Sequence, residues 1–71
     1  MNSEAQKIVD RANRIINNKL VFFQTAFDKA QKNYKNASKA GDEASVAYYE
    51  KDLQSFNLVI NELKSIASEL K

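Results

Sequence analysis

Along the last third of the chain, apolar side chains return at alternating intervals of three and four: Val46, Tyr49, Leu53, Phe56, Ile60, Leu63, Ala67 and Leu70. A repeat of about 3.5 residues keeps all eight on one stripe of an α-helix, the pattern by which helices pair along their length in coiled coils. Upstream, Val9, Ala12, Ile16, Leu20, Phe23, Phe27, Ala30, Tyr34 and Ala37 form a second stripe with an average spacing of about 3.6. The pattern therefore predicts two long helices, over about 4–40 and 43–70. Ser3 followed by Gln6 matches a capping box and would start the first helix near Glu4. Asn17 and Asn18 are the one tempting break, and a three-helix alternative has a short first helix ending at Asn17. Because Ile16 and Leu20 stay in phase across that pair, one continuous helix is preferred.

Gly41 is the only glycine, and it stands where a left-handed residue can close the first helix. Asp42 follows as a natural N-cap for the second. The fold class expected is all-α: an antiparallel two-helix hairpin with its turn at Gly41, forming a single domain over residues 1–71. Reversal at Gly41 sets residue 71 beside about residue 11, so the first turns of helix 1, with Ile8 and Val9, overhang.

Each helix carries apolar residues beyond its stripe. With the helix 2 stripe written as heptad positions a and d, Val59 and Ile66 fall at the flanking g position. With Val9, Ile16 and Phe23 at a, so do Ile8, Ile15 and Phe22 on helix 1. In an antiparallel pair the two g flanks lie on one side. These five residues therefore predict a second apolar face at the open end of the hairpin, for self-association or for another protein. The opposite flank is different: Leu20, Phe27 and Tyr34 on helix 1 meet Glu43, Glu50, Asn57 and Lys64 on helix 2. A hairpin of this size is marginal alone, so pairing of two hairpins into a homodimeric four-helix bundle is expected, turns pointing away from each other.

Residues 19–23, Lys-Leu-Val-Phe-Phe, resemble the self-associating core of the amyloid-β peptide. What this five-residue resemblance implies is an aggregation hazard while the chain is unfolded; the helical phase of the neighbouring residues governs the folded state.

Composition removes whole classes of chemistry. The chain has neither cysteine nor histidine, which excludes disulfides, thiolate or imidazole metal sites, and nucleophile–imidazole dyads. The longest apolar run, Leu20 to Phe23, is far short of the roughly 20 residues that span a bilayer. The start, Met1 to Gln6, is polar, unlike a secretory signal. The expectation is a soluble, cytoplasmic protein with no membrane contact, cofactor, metal or small-molecule substrate. Carboxylates are the only catalytic groups left, and Asp10, Asp28, Glu50, Asp52, Glu62 and Glu69 fall on polar or flanking positions without converging, so no enzyme is expected.

Charge is unevenly shared. Residues 1–40 hold eight basic and three acidic side chains, residues 42–71 three basic and six acidic. Lys29 and Asp52 fall at facing g positions. On the outward face of helix 1, Lys7, Arg11 and Arg14 at one end and Lys32, Lys35 and Lys39 at the other form a stripe suited to anions or nucleic acid. Asp28 interrupts that stripe and it holds no aromatic residue, which argues for a solvated face instead. The function expected is a small protein-binding regulator or adaptor acting through helix–helix contacts. The alternative is a dimeric nucleic-acid binder with an architecture that resembles the plasmid regulator ROP, using the basic stripe. A further alternative is a structural subunit whose partner is itself.

Overall fold

The computed structural model describes residues 3–70, and within them the chain forms two helices, α1 (Ser3–Ala40) and α2 (Glu43–Glu69). They fold back on each other as an all-α hairpin, a rod of 60 × 15 × 12 Å. The long dimension is set by α1 alone, since 38 residues rise about 57 Å at about 1.5 Å each. α1 runs without interruption through Asn17 and Asn18, so the three-helix alternative falls. An unbroken apolar stripe packed against a partner outweighs the weak helix propensity of two exposed asparagines.

The turn follows from two adjacent residues. Gly41 sits at φ 71°, a left-handed conformation that costs a residue with Cβ roughly 1–2 kcal/mol. With Gly41 there, its N–H donates to the Ser38 carbonyl at 3.2 Å and the Asp42 N–H to the Ala37 carbonyl at 3.0 Å. Those are the two closing bonds of a Schellman motif, and they satisfy carbonyls that the end of α1 would otherwise leave open. Asp42 then caps α2: its Oδ1 accepts from the Ser45 N–H at 3.2 Å and its Oδ2 from the Ser45 hydroxyl at 2.6 Å. These bonds, the Ser45 hydroxyl first and the Ser45 N–H next, hold the Asp42 carboxyl below the usual aspartate range.

A depressed carboxyl pKa stabilises the fold above the ordinary aspartate value of about 4, and the contribution is lost as pH falls through the lower folded-state value. Asp42→Asn keeps a capping oxygen but removes the charge. The melting temperature of the native chain should exceed that of Asp42→Asn at pH 7, and the gap should close in acid. A gap independent of pH would show that the carboxylate adds nothing beyond the neutral cap.

The start of α1 differs from expectation. Ser3 lies inside the helix, and the Gln6 side chain turns forward, donating from Nε2 to Asp10 Oδ1 at 2.9 Å. The Ser3–Gln6 capping box is therefore not formed. The Gln6 amide N–H is drawn to the carboxylate four residues on, one helical turn away, which turns the side chain away from Ser3.

The core is a single line of contact. Ile16, Ala30 and Ala37 on α1 and Ile60 on α2 are the buried apolar residues. The other members of both predicted stripes, from Val9 to Tyr34 and from Val46 to Leu70, are half-buried. Phe23 and Phe56 meet across the pair with ring centroids 6.2 Å apart, which fixes the register near the middle of the rod. Two of the four most buried positions are alanine, the small side chain that lets helix backbones approach. Among the described residues no large side chain is completely enclosed.

Candidate functional site

The candidate surface is the flank of the hairpin to one side of this contact line. At about 100° per residue, the position before each of Val9, Ile16 and Phe23 stands a quarter-turn round the helix from the line. Those positions are Ile8, Ile15 and Phe22, 69 %, 49 % and 66 % exposed. On α2 the equivalent flank carries Ile66, 43 % exposed, and Val59, which is half-buried. The neighbouring isoleucines Ile15 and Ile16 show how the pair of helices divides them: one is half open to solvent, the other buried. Phe22 does not stand free, because its ring meets the edge of Phe23 in a T-shaped contact, centroids 5.2 Å apart. That contact limits the rotamers of Phe22 and presents one ring face outward.

Four of the five residues expected to form a second apolar face are thus exposed together, and Val59 is already partly covered within the hairpin. Ile8 lies in the expected overhang and is the most exposed of them, while Val9 beside it is half-buried. Toward the turn the same flank changes character. A shallow depression between the helices is lined there by Ala26, Ala30, Asn33 and Tyr49, with Lys29 and Asp52 on its walls. Lys29 and Asp52, expected at facing positions, both line this one depression. On the opposite flank, Glu43, Glu50, Asn57 and Lys64 are all exposed. Ile8, Ile15, Phe22 and Ile66 share this flank in the open half of the rod, while Val21, Tyr48 and Leu58 are exposed on outward faces.

Sequence periodicity missed how the interface rolls: on α2 it leans toward this flank, on α1 away from it. Asn13 and Asn33 on α1, and Ser45 and Asp52 on α2, are half-buried although polar. The signal available was weak: Asn33 and Ala26 share a heptad position with Ala12, which belongs to the predicted stripe.

The basic stripe is present as drawn from the sequence. Lys7, Arg11, Arg14, Lys32, Lys35 and Lys39 are all exposed on α1, in two groups whose centres are about 36 Å apart along the axis. Val21 and Asp28 lie between the groups, both exposed. Tyr48 and Leu58 stand exposed on α2, away from the apolar flank, and Tyr48 leans edge-on against Tyr49 with centroids 5.2 Å apart.

Among the described residues no group of three or more acidic, histidine or cysteine side chains could hold a metal ion. No helix among them is long and apolar enough to cross a membrane. Set against known protein families, curated proteins and solved structures, the chain matches none of them.

Proposed function

We propose that the chain is a small non-enzymatic binding protein of the regulator or adaptor type, which engages an apolar helical surface of a protein through the flank of Ile8, Ile15, Phe22 and Ile66. The observation behind this reading is the concentration of exposed large apolar side chains on that one flank, 43–69 % open, where the other flank exposes Glu43, Glu50, Asn57 and Lys64 of α2. Large exposed apolar side chains gathered on one flank mark a candidate interaction surface. Its form favours a helix as ligand. Ile8, Ile15 and Phe22 recur every seven residues, about 10.5 Å, the interval at which the side chains of a helix laid alongside also recur. The basic α1 and acidic α2 give that ligand an orientation, because complementary charge steers docking more than it adds affinity.

The ROP-like alternative draws on a separate observation, the six exposed cations in two groups on the outward face of α1. Counterion release would make such binding steeply salt-dependent. One comparison tests both readings. The native chain, Ile15→Glu with Phe22→Glu, and Lys32, Lys35 and Lys39 changed together to Gln are each assayed for retention of protein partners and of duplex DNA and RNA. The expected result is protein binding that survives moderate salt, is lost in the flank variant and is kept in the lysine variant. Nucleic-acid binding that falls with salt and disappears in the lysine variant would move the function to the basic stripe. Growth of the native chain beyond a dimer as concentration rises would instead favour a structural assembly subunit.

A further inference from the structure

We infer that the occupant of the apolar flank is a second copy of this chain, bound across a two-fold axis at the level of Ile15 and Ile66, with the two Gly41 turns at opposite ends of the assembly. The inference rests on the reading of that flank as a helix-docking surface and names what docks there.

Surface area gives the first argument. The chain exposes 5670 Å², whereas a compact monomer of its mass exposes about 4,500 Å². The excess, about 1,200 Å² per chain, exceeds the roughly 800 Å² that each partner contributes to a standard protein–protein interface. A second hairpin offers two helices at once and completes a four-helix bundle.

Self-complementarity is the second argument. A two-fold interface must match its own surface, residue i meeting j while j meets i. The Phe23–Phe56 contact puts Ile66 near the level of Ile15, and Val59 near that of Phe22. The flank is thus apolar at three levels about 10.5 Å apart: Ile8; Ile15 with Ile66; Phe22 with Val59. An axis through the middle level sets Ile15 against Ile15 of the copy. The lightly furnished Ile8 level then meets the crowded Phe22 and Val59 level, at both ends alike.

Charge gives the third, by rejecting the competing alignment. Sliding the hairpins into full overlap would lay Ile8 and Ile15 against the turn half of the copy, where Lys29 and Asp52 wall the groove. Lys29 is exposed there and Asp52 half-buried, and covering them with apolar side chains removes hydration that their mutual attraction only partly replaces. The favoured overlap stops short of them, and gives an assembly about 85 Å long instead of about 60 Å.

The chain has no native cysteine, so single cysteines can report the axis. Sedimentation of the native chain over a concentration series should give twice the monomer mass. Ile15→Glu with Phe22→Glu should remain helical by circular dichroism and raise the dissociation constant by about 100-fold or more. Ile15→Cys should oxidise to a disulfide-linked dimer, while Tyr48→Cys, on the outer surface, should not. Small-angle scattering should return the longer dimension. Three results overturn the inference: a native monomer at all concentrations, a dimer indifferent to the two glutamates, or a dimer of about 60 Å that Ile15→Cys does not trap. A monomer whose flank still retains an apolar helical partner, lost in the glutamate variant, leaves the docking surface standing with a different occupant. A monomer in which native and variant bind alike removes both.

Discussion

Ile60→Ala should destabilise the hairpin by about 2–5 kcal/mol, the range for truncating a buried branched aliphatic side chain. Ile60 is 5 % exposed and is the buried residue of α2, so no shell of other core side chains can collapse around the gap. A domain of this size rarely holds more than about 3–5 kcal/mol in total, and the substitution therefore consumes most of the stability. Thermal melts followed by helix signal at one fixed chain concentration would register it, the concentration mattering because self-association adds to apparent stability. Leu58→Ala is the control two residues away. Leu58 is 67 % exposed, and a surface truncation of that kind belongs within about 0.5 kcal/mol of native. Equal losses at the two sites would mean that α2 does not present Ile60 to α1.

The second large effect concerns the backbone. Asn18→Pro should cost about 3 kcal/mol or more, because proline removes one helical hydrogen bond and its ring collides with the carbonyl four residues back, that of Arg14. Asn18 is exposed, so little side-chain packing goes with it and the loss reports on helix continuity alone. Glu43→Pro supplies the contrast. Glu43 is the first residue of α2 after the Asp42 cap, a position whose N–H has no helical partner and where proline is well tolerated. Asp42, at φ −87° and ψ 87°, already lies outside the helical region that a following proline disfavours. Melts of the two variants should differ by several degrees at least. If Asn18→Pro were as mild as Glu43→Pro, α1 would have to bend or break near Asn17, as the three-helix arrangement requires.

How much of this was legible beforehand varies with how locally each feature is decided. Gly41 and Asp42 could be assigned because a left-handed closing residue and a side-chain cap are requirements of a few neighbouring atoms. The same kind of reasoning failed at Gln6, whose amide N–H found the Asp10 carboxylate one turn on and carried the side chain away from Ser3. The candidate surface was legible for a different reason. Ile8, Ile15 and Phe22 each precede a stripe residue, and a step of about 100° turns each of them well away from the partner that its neighbour faces. Val59 could not be placed that way: it holds the same heptad position as Ile66, yet it is half-buried where Ile66 is the more open.

By itself, then, the order of apolar and polar residues determined two helices, one reversal and the line along which they meet, since a helix carries its periodicity wherever it is placed. Tertiary structure decided the rest. It chose how the two stripes roll against each other, which drew Asn33, Ser45 and Asp52 partly inward and left Glu50 and Lys64 in solvent. It made Ala30 and Ala37, not the larger Phe27 or Tyr34, the most enclosed residues in the turn half of α1, because the closest approach of two backbones excludes large side chains first. And it left Ile15 and Phe22 uncovered, since two helices can shield only the faces they turn toward each other.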